Sequence, residues 1–293
     1  MTSPRVFEAK AIGHWTDNVD VKPTWPIRIP ASQAIVDDLG LAYQLRDPLI
    51  SPSRANLVPA DRLLPVVGEE FIRSAEMFVS ADGGSLRWFD GAQAHETGWY
   101  PSWKRGRLQH WEGLTQKHTL LKAECDWNVL WAQSEARRFR FMLEGRWREY
   151  TCDVEIQLAD GTTQIIENKA DERSVKDADY RLTLAGVSEI CRRVGFQFQI
   201  IMGDEVFANR HHRRNVELFA SRGFATVTPR HIRKLEAFAV ERGPITTYGQ
   251  LSELLEPDFV PAGKAVVQAL VVRRRVQIDL TDHVHDHTPV TLH

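Results

Sequence analysis

The chain has 293 residues, 43% of them hydrophobic and 26% charged, the balance of a globular protein long enough for more than one domain, which excludes a disordered or fibrous chain. Its 37 Lys and Arg against 39 Asp and Glu leave a formal net charge of −2, which excludes nucleic-acid binding over the whole surface. Three scattered cysteines, Cys125, Cys152 and Cys191, exclude a disulfide framework. No apolar run reaches bilayer length and MTSPRVFEAK is no signal peptide, so a cytoplasmic protein with no membrane partner is expected.

In chain order, residues 1–95 read as an N-terminal extension of unclear fold without a motif. Val21 to Pro30 and Pro48 to Pro65 are punctuated by proline and cannot sustain long helices, while Val66 to Phe78 fits one. WEGLTQKHTLLKAEC, Trp111 to Cys125, predicts a helix with Leu114, Leu120, Leu121 and Cys125 on one side. RFRFML, Arg138 to Leu143, alternates like a strand.

The stretch YTCDVEIQLADGTTQIIENK, Tyr150 to Lys169, carries the chemistry. Apolar residues fall on the even positions from Tyr150 to Leu158 and polar ones on the odd, the signature of a half-buried strand. Asp160-Gly161 predicts a tight turn, and on the second strand Ile165, Glu167 and Lys169 share a face. Asp153, Glu167 and Lys169 are thereby brought together. Carboxylates are the ligands that Mg²⁺ or Mn²⁺ prefers, and a bound cation of this kind polarises a phosphodiester and generates hydroxide. The amine two residues beyond the second carboxylate orients water and offsets developing charge. The plain alternative is an exposed Glu–Lys pair across a surface hairpin.

Ser174 to Val194 predicts a long helix stopped by Gly195, and FQFQIIM, Phe196 to Met202, another strand. The order α-β-β-β-α-β is that of a helix-flanked sheet. Further on, Ala208 to Arg222 predicts a basic helix, and Pro229 opens another from its favoured first position. Thr246 or Thr247 caps Tyr248 to Leu255. Phe259 to Val272 is a helix and Val276 to Leu280 a strand, which is the plan of a winged helix. His283, His285 and His287 lack the wider ligand set of a structural zinc site and read as surface histidines.

Order and spacing also carry a resemblance. Tyr100-Pro101-Ser102 with Lys104 comes first, then Glu124, Asp126 and Val129, then Tyr150, Cys152-Asp153-Val154 and Glu167-Asn168-Lys169. From Gly98 to Asp204 this resembles the TnsA-type endonucleases of heteromeric transposases, a group within the PD-(D/E)xK nuclease superfamily. The resemblance implies an α/β restriction-endonuclease-like core over residues 96–206 and a winged-helix-like C-terminal domain over 207–293. It implies Mg²⁺- or Mn²⁺-dependent nicking of the non-transferred strand at transposon ends. The implied partners are DNA, a DDE-type (TnsB-like) transposase and an AAA+ (TnsC-like) regulator. Where the family carries E-S-L-L-E, this chain has Glu112-Gly113-Leu114-Thr115-Gln116, so the second glutamate is Gln116. On a helix Glu112 lies one turn from it and either replaces the missing ligand or is an acid favoured at a helix N-terminus; Gln116 then orients water, or catalysis is lost.

The expected site is therefore Glu112, Asp153, Glu167 and Lys169, with Gln116 accessory and Asp153, Glu167 and Glu112 on the metal. Lys104, Arg105, Arg107, Arg213 and Arg214 are the expected phosphate contacts, which position DNA without reading its sequence. Two other readings stand beside this one: a restriction or defence nuclease of the same fold, and a catalytically silent adaptor that binds DNA or protein.

Overall fold

A computed structural model of the chain describes residues 58–59, 64–65, 72–87 and 96–293. Its architecture is mixed α/β, with four sheets and seven α-helices among the described residues. The segment 21–30 lies outside them, as does most of 48–65. Of the helix predicted over 66–78, the described part is instead strand β2 (Ile72–Val79). Tertiary pairing overrides local propensity there, because β2 pairs antiparallel with β6 (Arg137–Leu143), itself paired with β7 (Arg146–Thr151).

The central sheet has five strands. β1 (Val58–Pro59) is followed across it by β10 (Gln197–Met202), β9 (Thr163–Lys169), β8 (Val154–Leu158) and β5 (Val129–Ser134). Among the described strands, only β9 and β10 run parallel. Both faces are covered. Ile156 and Ile166 pack with Leu120 and Leu121 of α1 (Leu114–Cys125), whereas Ile165 and Ile200 pack with Leu184, Val187 and Ile190 of α2 (Ala178–Arg193). A sheet buried on both sides needs apolar residues at successive positions, hence Ile165-Ile166 in β9.

Hairpin β3 (Thr97–Ser102) to β4 (Arg107–Glu112) precedes α1. The helix predicted from Trp111 starts only at Leu114, because Gly113 takes a left-handed φ of 79° and breaks the chain between strand and helix. Likewise the strand predicted from Tyr150 to Leu158 is two strands in different sheets, separated at Cys152-Asp153. The predicted turn at Asp160-Gly161 forms, with Gly161 at φ 89°. α2 starts later than Ser174, capped by Asp177, whose side chain accepts from the Tyr180 N–H at 2.7 Å; Gly195 at φ 75° follows its end.

Beyond β10 come α3 (Gly203–Phe207), α4 (Arg210–Ser221), α5 (Pro229–Arg242), α6 (Tyr248–Leu255) and α7 (Val260–Val272). Pro229 occupies the first turn of α5, and Thr247 caps α6 by accepting from the Gln250 N–H. β11 (Ile245–Thr247), β13 (Pro289–Leu292) and β12 (Val276–Ile278) make a three-stranded antiparallel sheet in that order. One hydrophobic cluster joins α1 to this region, through Val216 and Phe219 of α4 and Val267, Leu270 and Val271 of α7. No helix among the described residues is long and apolar enough to cross a membrane.

Candidate active site

Asp153 sits in the two-residue break between β7 and β8, and Glu167 near the end of the adjacent strand β9. The break is what joins them: the Asp153 N–H donates to Ile166 O (3.2 Å), and the Asn168 N–H donates to Asp153 Oδ2 (2.7 Å). Glu167 is buried, 2% exposed. It accepts from the hydroxyls of Tyr150 in β7 and Tyr180 in α2, and forms an ion pair with the Lys169 ammonium. The ammonium also lies 4.8 Å from the centre of the Tyr180 ring. The predicted trio Asp153, Glu167 and Lys169 is thus assembled, but within the protein and not on an exposed hairpin face.

The electrostatics follow from that burial. Desolvation, and then the Glu167 charge, push the Asp153 carboxyl well above its ordinary range, against the pull of Lys169 and the Asn168 N–H. Desolvation and Glu167 likewise raise Tyr150 and Tyr180, so both hydroxyls remain protonated donors to Glu167.

The sequence reading missed one carboxylate. Glu135, between β5 and β6, is 2% exposed and has a left-handed φ of 49°, uncommon for a residue with a side chain. Burial, and then Asp153, push its carboxyl well above the carboxylate range; Glu167 and Glu112 add to the effect and Arg87 opposes it. Its sequence context, SEAR, carries no signal, because the β5–β6 crossover between sheets creates the contact. Arg137, two residues on, makes a bidentate pair with buried Glu155 (2.7 and 3.0 Å).

Glu112 and Gln116 do not share a helical face. Glu112 ends β4, where Arg87 pairs with its carboxylate at 2.9 Å. Gln116 bridges two backbones: its Oε1 accepts from the Glu112 N–H (2.6 Å), and its Nε2 donates to Asp153 O (2.8 Å). Gln116 thus positions the Asp153 backbone.

The motif residues upstream form a clamp. Glu124 of α1, buried at 2% exposure, accepts from the Ser102 hydroxyl (2.6 Å) and from the N–H groups of Trp103 (2.6 Å) and Lys104 (3.1 Å). Lys104 turns inward and donates to Ala123 O (3.0 Å) and Asp126 O (2.5 Å) at the end of α1, where burial lowers its ammonium to about 8. Arg105 donates to Gln133 Oε1 (3.1 Å) and Gly83 O (2.5 Å), and Arg107 to Asp82 O (2.8 Å). These three basic residues bind the β3–β4 turn to its neighbours. Arg213 and Arg214, in contrast, are exposed on α4.

Among the described residues, no three acidic, imidazole or thiolate side chains form a ready-made metal shell. The donors present do suit a hard divalent cation: they are carboxylates, and Glu135 Oε2 is a buried oxygen with no hydrogen-bond partner. No protein-family model and no curated protein matches the chain.

Proposed function

We propose that the chain is a divalent-metal-dependent DNA endonuclease of the TnsA type, nicking the non-transferred strand at transposon ends beside a DDE-type transposase and an AAA+ regulator. The observation that carries this reading is the Asp153–Glu167–Lys169 cluster, two crowded carboxylates and an amine set at the ends of two interior strands of a helix-covered sheet. In this reading the fold is a restriction-endonuclease-like core followed by a winged-helix-like domain, and the motif order from Tyr100 to Lys169 supports it. Asp153 and Glu167 would hold Mg²⁺ or Mn²⁺, with Glu112 at the rim. A metal held there would supply a Lewis acid for the phosphate and would lower the pKa of water. Lys169 holds the attacking water and balances developing negative charge. Tyr150 and Tyr180 fix the Glu167 carboxylate, and Gln116 fixes Asp153. Exposed Arg213 and Arg214 supply phosphate contacts, so binding is salt-sensitive.

A second reading, a catalytically silent adaptor, is favoured by two observations: Glu167 already has three protein partners, and Gln116 stands where the resembled family has a carboxylate. A nicking assay on transposon-end DNA decides between them, run with and without the partner transposase, in Mg²⁺ and then in EDTA. Mg²⁺-dependent nicks that vanish in Asp153→Ala and Glu167→Ala establish the endonuclease. Intact DNA in every arm, with DNA or partner protein still bound, establishes the adaptor.

A further inference from the structure

The site has one carboxylate more than the sequence pattern accounts for. Glu135 reaches it by an unusual route, from the crossover between two sheets, with its backbone N–H donating to Asp153 O at 3.0 Å. Gln116 Nε2 donates to the same carbonyl at 2.8 Å. Residue 135 and residue 116 therefore meet at one point of the site, and of the two only Glu135 has a group that can ionise and neutralise a bound cation. Its carboxylate lies within electrostatic reach of Asp153, Glu167 and Glu112. It is 2% exposed, and its Oε2 has no hydrogen-bond partner. An ordinary buried carboxylate has both oxygens satisfied by donors, because leaving one bare is costly. Glu112, the other acidic candidate, is instead paired with Arg87. Divalent cations of the Mg²⁺ class take oxygen ligands, and Glu135 Oε2 is a buried oxygen without a donor, on a residue whose backbone is hydrogen-bonded to Asp153.

We propose that Glu135 is a metal ligand, supplying from the β5–β6 crossover the carboxylate that Gln116 cannot; this rests on the metal-dependent reading above. The test is Mn²⁺ titration of the full chain by calorimetry, in wild type, Asp153→Asn, Glu135→Gln and the exposed control Glu149→Gln. Wild type and the control should bind alike, and Glu135→Gln should lose at least tenfold in affinity, as Asp153→Asn does, with an unchanged circular dichroism spectrum. Full wild-type affinity in Glu135→Gln, with Asp153→Asn impaired, overturns the role of Glu135 and leaves the metal-dependent reading standing. No Mn²⁺ binding by wild type at millimolar metal overturns both. If Glu135→Gln does not fold, Glu135→Asp is titrated instead. It keeps the charge on a shorter side chain, so weakened Mn²⁺ binding supports the proposal and unchanged binding overturns it.

Discussion

Glu167 shows how much one buried carboxylate demands of its neighbours. Its donors come from three elements, Tyr150 of β7, Tyr180 of α2 and Lys169 of its own strand. Removing a donor from a buried acceptor costs about 1–3 kcal/mol, more than the net gain from making an average hydrogen bond. Tyr150→Phe, at a buried position, should therefore lower the urea-unfolding free energy by about that amount; an unchanged midpoint would mean that water takes over the contact. Lys169→Ala tests the chemistry. Turnover in the nicking assay should fall by a factor of ~10² or more, as when one electrostatic stabiliser is lost, while DNA affinity in Ca²⁺ stays level. Equal losses of binding and cleavage would make Lys169 a phosphate contact only. Glu167 and Lys169 were legible as candidates in the sequence because strand alternation and the Asp160-Gly161 turn set their face, whereas the two tyrosine donors, one of them on a distant helix, were not. Glu135 was not, since a lone glutamate in a loop acquires meaning only when a distant strand, here through Asp153, is folded against it.

Among the elements, the β6–β8 contact depends on an ion pair between two sheets. Arg137 begins β6 and Glu155 lies in β8, with their side chains 16% and 4% exposed. Breaking such a pair by removing one partner strands a buried charge, at a cost of about 3–5 kcal/mol, whereas replacing both with apolar groups can be near neutral. Arg137→Met should thus be strongly destabilising in urea melts, and Arg137→Met/Glu155→Met should recover most of the loss. If the double variant is as weak as the single one, the pair has a role beyond charge compensation. The sequence placed α6 and α7 within a residue or so, because caps and prolines are local signals. It misplaced the start of α1 and merged β7 with β8. There the periodicity runs on through Gly113 and through Cys152-Asp153, and only the pairing of each strand with a different neighbour reveals the break.

At the scale of the whole molecule, two histidines should make the seam between the central sheet and the C-terminal helices sensitive to acid. Burial holds both His118 of α1 and His212 of α4 down to about 4, whereas an unfolded histidine titrates near 6.5. The unfolded chain then binds more protons than the native one between those values, so this contribution to stability is complete at neutral pH and is lost as pH falls from 6.5 towards 4. The raised carboxyls Asp153 and Glu135 act with the opposite sign, so the histidine effect is read as a difference. His118→Gln/His212→Gln should lose less stability than wild type between pH 7 and pH 5 in urea melts. A parallel slope in both proteins would show that neither ring titrates on unfolding.

α1 runs through this seam as a single rod of 12 residues, ~18 Å long at 1.5 Å per residue. Near its first turn Gln116 grips the Asp153 carbonyl; at its far end the Ser102–Lys104 turn is bolted on through Glu124; along its flank it rests on Val216 and Phe219 of α4. Any protein that took hold of the C-terminal helices would therefore be pushing on one end of a lever whose other end carries the acid cluster.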